Sequence, residues 1–390
     1  MTPPDLVLLL PGFFGFSRLS GFYYFAERAA AAIRGGLDVR EGRPIPVVPL
    51  STMPSSSLAV RQDLLVSQIR ALGKRLGGVP RLHLVGHSAG GVDAYLLTCA
   101  RTIRGDAWSA DATEVRRRIA SVTTVASPFH GTGLSVTAVA RFTLDPRHSL
   151  TGLVPVLKLV AKLVGGLAEP HASGPLIWNS LTNALAALPQ AAKFCAHLIH
   201  HRKLIAELAP DPMTRLLAAC PRDIPAQVTN FVTVVPKAVL RHAAPYFTDL
   251  YGLTATQDAA TPVSPAVVAA ADLLNHHAAA AVRPPDSAAP VFDPTVNDGI
   301  VNSARQIADP GDGSTFGGSF VADHADVLGY YDDIDALVTG RPLNESVFRS
   351  GAGFCDNQFY ELYRRVADRI STAMIATRAE PVAVALRGVP

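Results

Sequence analysis

Three separated segments carry residue types suited to nucleophilic acyl chemistry. The first, Leu82-His83-Leu84-Val85-Gly86-His87-Ser88-Ala89-Gly90-Gly91, reads as an apolar strand running into a Gly-x-Ser-x-Gly turn and then a helix. A serine at the apex of such a turn needs almost side-chain-free neighbours two residues to either side, and Gly86 and Gly90 meet that need. The second, Val296-Asn297-Asp298-Gly299-Ile300-Val301, offers an acid, and the third, Phe320-Val321-Ala322-Asp323-His324-Ala325-Asp326-Val327-Leu328-Gly329, a histidine. A serine hydroxyl is a poor nucleophile until an imidazole takes its proton, and the imidazole needs a carboxylate to fix its tautomer. Ser88, His324 and Asp298 can fill those roles in that order of action. Singly, each has a plain structural reading: a helix-capping serine, an Asp-Gly turn and a loop histidine.

Charge developing on a carbonyl oxygen needs donors. Ala89 opens the helix after Ser88, so its N–H has no intrahelical partner and the helix N-terminus favours an anion there. A second donor is expected from Pro11-Gly12-Phe13-Phe14-Gly15-Phe16, where glycine permits close backbone approach and Phe13 would present its N–H. The competing reading is a Pro-Gly turn followed by core aromatics. Those aromatics would also wall an acyl chain. His130, in Ser127-Pro128-Phe129-His130-Gly131-Thr132, is the alternative base, but it precedes the acid in the chain.

The elements around these segments alternate. Strands are expected at 6–10, 45–50, 81–85, 119–126 and 228–235, and a helix capped by Ser55-Ser56-Ser57 carries the stripe Leu65, Ile69, Leu72 and Leu76 until Gly77-Gly78. Further helices are expected at 266–274 and over the stripe Phe359, Leu362, Val366, Ile370 and Met374. This alternation predicts a parallel sheet covered by helices on both faces within one domain spanning 1–390. It breaks at 138–224, where Leu153, Val156, Leu157, Val160, Leu163, Val164 and Leu167 recur at helical spacing, giving a helical insertion that reads equally as a mobile lid or a fixed cap. A second excursion covers 236–292.

Composition narrows the classes. Of 390 residues, 48% are hydrophobic and 17% charged, which describes an apolar-rich globule with surplus for a greasy surface. The net charge of +3 is carried by scattered basic residues, which argues against nucleic acid as a partner. Cys99, Cys195, Cys220 and Cys355 show no metal-binding spacing and no disulfide framework, though a bridge or two stays open. For His197, His200 and His201 no nearby Cys, Asp or Glu completes a ligand set, and these, like His276 and His277, read as solvated or partner-bonded histidines. The start of the chain lacks a basic region before its short apolar run, so a cytoplasmic protein is expected, or a secreted one if a signal precedes this numbering.

In order, the Pro-Gly-aromatic loop, Gly-His-Ser-x-Gly-Gly, Ser-Pro-x-x-Gly-Thr, Asn-Asp-Gly-Ile-Val and Asp-His-x-Asp-Val-Leu-Gly resemble the bacterial triacylglycerol lipases of the α/β-hydrolase superfamily. The resemblance covers the framework from 6 to 329 and departs at Pro11, where those lipases usually have histidine. It implies an α/β-hydrolase fold, a mostly parallel sheet flanked by helices, with the insertion as lid or cap. It also implies a serine carboxylester hydrolase, a lipase acting on acylglycerol or other fatty-acyl esters, with Ser88, Asp298 and His324 as triad, Phe13 and Ala89 as oxyanion donors, and transient contact with a lipid surface. No cofactor is required. A structural calcium is implied at Asp326 and at Asp332 or Asp333, offset by one residue from the family pattern, against the alternative of an ordinary acidic surface cluster; the zinc set of one lipase branch has no match. A short-chain carboxylesterase or polyester depolymerase, an acyltransferase and a non-catalytic binding protein are the competing functions.

Overall fold

The computed structural model describes residues 4–19, 22–136, 203–277, 281–282, 292–308, 313–331 and 348–387. Strand β1 (Asp5–Leu10) is buried along its whole length because it lies inside a sheet covered on both sides. Its alternate residues enter two different cores. Leu6, Leu8 and Leu10 join one cluster; Val7 and Leu9 join the other.

A two-stranded ribbon, β2 (Arg18–Leu19) and β3 (Phe22–Tyr23), follows β1. The remaining strands are β4 (Val47–Pro49), β5 (Arg81–His87), β6 (Ile119–Val125), β7 (Gln227–Val234), β8 (Ala281–Val282) and β9 (Thr315–Val321). Together with β1 they form a seven-stranded sheet in the order β4-β1-β5-β6-β7-β9-β8, and every neighbouring pair is parallel. Parallel strands place their carboxyl ends on one edge, where ligands bind in open α/β sheets. Two of the three segments singled out in the sequence, and the oxyanion-loop candidate, emerge there: Ser88 after β5, His324 after β9 and Pro11 after β1.

On one face sit α2 (Leu58–Arg75), α3 (Ala89–Leu96) and α4 (Ala110–Arg116). Ser57 caps α2 by accepting the Val60 N–H, and Leu65 and Ile69 of the expected stripe are buried; Leu76, at the C-cap, is 56% exposed. On the other face α1 (Glu27–Glu41) packs against the C-terminal helix, and Gly36 allows the approach, since a Cβ there would lie 2.8 Å from Ala367 Cβ. The sequence did not announce α1, whose inward stripe of Ala29, Ile33 and Leu37 is diluted by neighbouring alanines.

Two short helices, α5 (Lys203–Glu207) and α6 (Pro210–Ala218), close the segment expected as an insertion; its residues 138–202 lie outside the described ones. They are fixed to the core: Leu204 and Met213 are buried, Leu204 N–H donates to Ser55 O (3.1 Å) and Glu207 accepts the Leu58 N–H (2.6 Å). After β7 come α7 (Pro245–Ala260), which composition did not announce, and α8 (Pro265–His277), close to the expected 266–274. Last is α9 (Asp356–Arg387), whose stripe from Phe359 to Met374 is buried as the spacing predicts. No described helix is long and apolar enough to cross a membrane.

Near the amino ends of the strands His83 is buried between Asp5 and Ser121, with Nδ1 2.8 Å from Ser121 Oγ and Nε2 3.3 Å from Asp5 Oδ1. Burial holds its imidazole below the ordinary histidine range, outweighing the Asp5 carboxylate. A depressed folded-state value means that the unfolded chain binds a proton first as pH falls. Stability contributed by this site is therefore complete well above pH ~6.5 and is lost below it, by about 1.4 kcal/mol per pH unit until the folded ring also titrates. The stability advantage of wild type over His83→Gln, measured by urea denaturation, should shrink as pH is lowered from 7.5 to 5.5.

Candidate active site

The turn after β5 is strained as the glycines suggested. Ser88 adopts φ +55°, in the left-handed region that non-glycine residues avoid. Close packing enforces it: a Cβ on Gly86 would lie 2.4 Å from Gly90 O, and one on Gly90 would lie 2.3 Å from Leu10 O. Gly91 is equally confined, since a Cβ there would lie 1.9 Å from Ser127 Oγ. Such strain survives only where surroundings over-determine it, and it projects the serine side chain off the sheet edge.

The loop after β1 lies against this turn. A Cβ on Gly12 would sit 2.7 Å from Ser88 Cβ and 2.4 Å from the Tyr24 hydroxyl, so only glycine fits. One guanidinium holds the loop. Arg61 donates from Nη2 to Pro11 O (3.0 Å) and Gly12 O (3.2 Å), and from Nη1 to Met53 O (2.9 Å). Its Nε and Nη2 clasp Asp93 of α3 at 2.9 and 2.6 Å, and both side chains have no exposed surface. In a trans peptide C=O and N–H point in opposite directions. Fixing Gly12 O on Arg61 therefore fixes where Phe13 N–H points, and that N–H makes no hydrogen bond among the described residues. Phe13 O is held in turn by Ser55 N–H (3.3 Å).

Asp298 and His324, the expected acid and base, lie against each other. His324 Nδ1 lies 2.8 Å from Asp298 Oδ2, and Asp298 is wholly buried while His324 is 8% exposed. The carboxylate is fully occupied: Oδ2 also accepts from Thr233 Oγ1 (2.6 Å) and Gln306 Nε2 (3.0 Å), and Oδ1 from the N–H groups of Ile300 (3.0 Å) and Val301 (2.8 Å). With so many donors it stays an acceptor, which makes Nδ1 of His324 the protonated nitrogen and leaves Nε2 to accept a proton. The main chain adds a tie from His324 N–H to Asp298 O (3.1 Å).

His324 stands on a reciprocal turn in which Asp323 accepts the N–H groups of Ala325 and Asp326 and Asp326 accepts that of Asp323 (2.8 Å). Burial pushes the Asp323 carboxyl up to about 6. His87 links Ser88 and His324: its ring lies 4.6 Å from that of His324, and Ser88 is the next residue. No hydrogen bond joins Ser88 Oγ to His324 among the described residues, and such bonds commonly tighten only around substrate.

His130 stands apart from this group, its loop tied to Arg305, which donates to His130 O (2.6 Å). The other Ser/His/Asp alignment, Ser121, His83 and Asp5, is at most 3% exposed and sits at the far end of the strands, where no substrate reaches. Asp326 is 3% exposed and spends an oxygen on Asp323, and Asp332 lies outside the described residues. Among the described residues no group of three or more candidate ligands could hold a metal ion, so they do not by themselves compose a calcium site. Cys99, Cys220 and Cys355 are free thiols, and Cys195 lies outside the described residues, as do His197, His200 and His201.

No protein-family model matches the chain. Over 130 residues, 33% of this chain, it is 33% identical to a triacylglycerol lipase of Pseudomonas fragi, and the match spans 36% of that protein. Among solved structures, a Staphylococcus hyicus lipase superposes with a TM-score of 0.47 at 14% identity, covering 96% of this chain and 99% of that one. EstA of Clostridium botulinum gives 0.46 at 16% identity, covering 95% and 88%. Lipase 1 of Pelosinus fermentans gives 0.47 at 15%, covering 94% and 99%. The fold is assigned from the chain's own parallel strand order and strained turn, which are α/β-hydrolase-like. Over the third of the chain matched by sequence, it is similar to a bacterial triacylglycerol lipase.

Proposed function

We propose that the chain is a serine carboxylester hydrolase, a lipase that cleaves acylglycerols or other fatty-acyl esters through an acyl-enzyme on Ser88. The observation that carries this reading is the buried Asp298–His324 hydrogen bond beside a strained Ser88 against which the Gly12 backbone is packed.

Ser88 Oγ attacks the acyl carbonyl as His324 Nε2 takes its proton, and Asp298 stabilises the imidazolium through Nδ1–H. The oxyanion is received by the N–H groups of Phe13 and Ala89. Collapse expels the alcohol, protonated by His324, and water activated by the same imidazole releases the acid. Phe13, Phe14 and Phe16, packed ring to ring at 5.8 and 6.1 Å and all half-buried, are the apolar wall for the acyl chain.

The test is hydrolysis of p-nitrophenyl esters of rising acyl length, together with mass-spectrometric location of a fluorophosphonate adduct. Turnover of long-chain esters and an adduct on Ser88 are expected. Absence of both sinks the hydrolase reading; rates that collapse beyond short acyl chains replace lipase by esterase, and preferential transfer to an added alcohol replaces hydrolase by acyltransferase.

A further inference from the structure

The residue between Gly86 and Ser88 is accounted for by neither role in the reaction. His87 is 1% exposed, and both of its ring nitrogens are engaged: Nδ1 lies 2.8 Å from the Tyr24 hydroxyl and Nε2 2.9 Å from the main-chain oxygen of His324. A carbonyl can only accept, so Nε2 carries the hydrogen. Nδ1 of a neutral ring then accepts, and the Tyr24 O–H donates to it. The Tyr24 oxygen in turn takes the backbone N–H of Gly12, the residue whose surroundings leave no room for a Cβ. The result is a one-directional chain, Gly12 N–H to Tyr24 O–H to His87 Nε2–H to His324 O.

Neutrality of His87 is what lets this polarity persist. Burial holds its imidazole well below the ordinary histidine range, and the nearby charge of His324 acts in the same direction. A protonated His87 would donate from both nitrogens and reverse the contact with Tyr24.

We propose that Tyr24 and His87 are positioning residues that lock the loop bearing one oxyanion donor to the backbone of the catalytic base, passing beneath the nucleophile. This rests on the serine hydrolase reading above. Gly12 and His324 lie on loops after different strands, β1 and β9, which are not neighbours in the sheet, so the sheet's own hydrogen bonds do not set their separation. The His87 ring spans them from the end of β5, one of the three strands between. It fixes the distance across which the oxyanion donor and the proton acceptor must both meet one acyl carbon. A misplacement of about 1 Å in such a constellation costs on the order of 100-fold in rate.

The experiment compares wild type with Tyr24→Phe, His87→Phe, the double variant and His87→Gln, using p-nitrophenyl ester kinetics, fluorophosphonate labelling and histidine-ring NMR. Each Phe variant should lower kcat by about 10- to 100-fold with KM nearly unchanged. The double variant should be no worse than the worse single, because both residues act through one chain. His87→Gln, which keeps a donor for His324 O, should recover part of the loss. In wild type the His87 ring should be the Nε2–H tautomer and remain neutral from pH 5 to 8.

Folded Tyr24→Phe and His87→Phe proteins with wild-type kcat overturn the proposal, as does a His87 ring of the other tautomer. If wild type neither turns over nor takes the label, the hydrolase reading has failed and the proposal falls with it. Wild type that is active beside variants with unchanged kcat isolates failure of the proposal alone.

Discussion

Ser88→Ala is expected to lower kcat by about 10⁶-fold and Asp298→Asn by about 10⁴-fold, with both proteins remaining folded. The asymmetry follows from the hydrogen bonds around Asp298. Its carboxylate accepts from Thr233, Gln306, two main-chain N–H groups and His324, and has no exposed surface. An asparagine of the same shape turns one acceptor into a donor. If its NH₂ faces His324, that ring must present an unprotonated Nδ1, and Nε2 then carries the hydrogen and cannot take one from Ser88. Ser88 remains, but without a base. Removing the serine oxygen deletes the covalent route, leaving whatever the oxyanion donors contribute to direct attack by water. Single-turnover kinetics with a p-nitrophenyl ester would resolve the two: Asp298→Asn should still accumulate acyl-enzyme slowly, and Ser88→Ala none. Equal losses in both variants would mean that Asp298 does more than orient the imidazole.

How much of this site was readable depended on whether the requirement was local. Gly86, Ser88 and Gly90 were legible because the strain of a strand-to-helix turn is a demand on consecutive residues, and Gly12 because close backbone approach excludes a side chain at one position. That Ser88 and His324 would share one edge followed from reading them after parallel strands, because β5 and β9 deliver their carboxyl ends there. The fixing groups were not legible. Arg61 and Gln62 lie at the start of an amphipathic helix, where a charge reads as solvated surface, yet both are buried. Asp93 looked like an ordinary helical residue, and nothing in its neighbours announces a partner 32 positions away. Thr233 reaches Asp298 because β7 passes beneath the Asp298 loop, and Gln306 because the short turn Ser303–Gln306 folds back onto that loop. Ser121, His83 and Asp5 share the residue types of the candidate site but lack its glycine-flanked turn and lie buried near the amino ends of the strands. The described end of the helical insertion expected at 138–224 is anchored to the core through α5 and α6.

Arg61→Met should be the most destabilising single change near the site, by about 3–5 kcal/mol, because it strands the Asp93 carboxylate without a counter-charge. Burial already pushes that carboxyl up, and only the guanidinium opposes it. The urea midpoint should fall with little change in slope. Arg61→Lys should recover little, since one ammonium cannot clasp Asp93 through two nitrogens while holding Pro11, Gly12 and Met53 oxygens. The informative variant is Arg61→Met with Asp93→Leu. Replacing a buried ion pair by apolar side chains is often neutral for stability, so the double variant should regain much of the lost midpoint. It should not regain activity. The oxygens of Pro11 and Gly12 would still lack their donor, the Gly12–Phe13 peptide could rotate, and the Phe13 N–H would no longer be held in one direction. Loss of one oxyanion donor is worth about 100- to 1000-fold in kcat. Recovery of stability together with full kcat would show that Arg61 serves the fold alone; recovery of stability without kcat assigns it to the oxyanion loop.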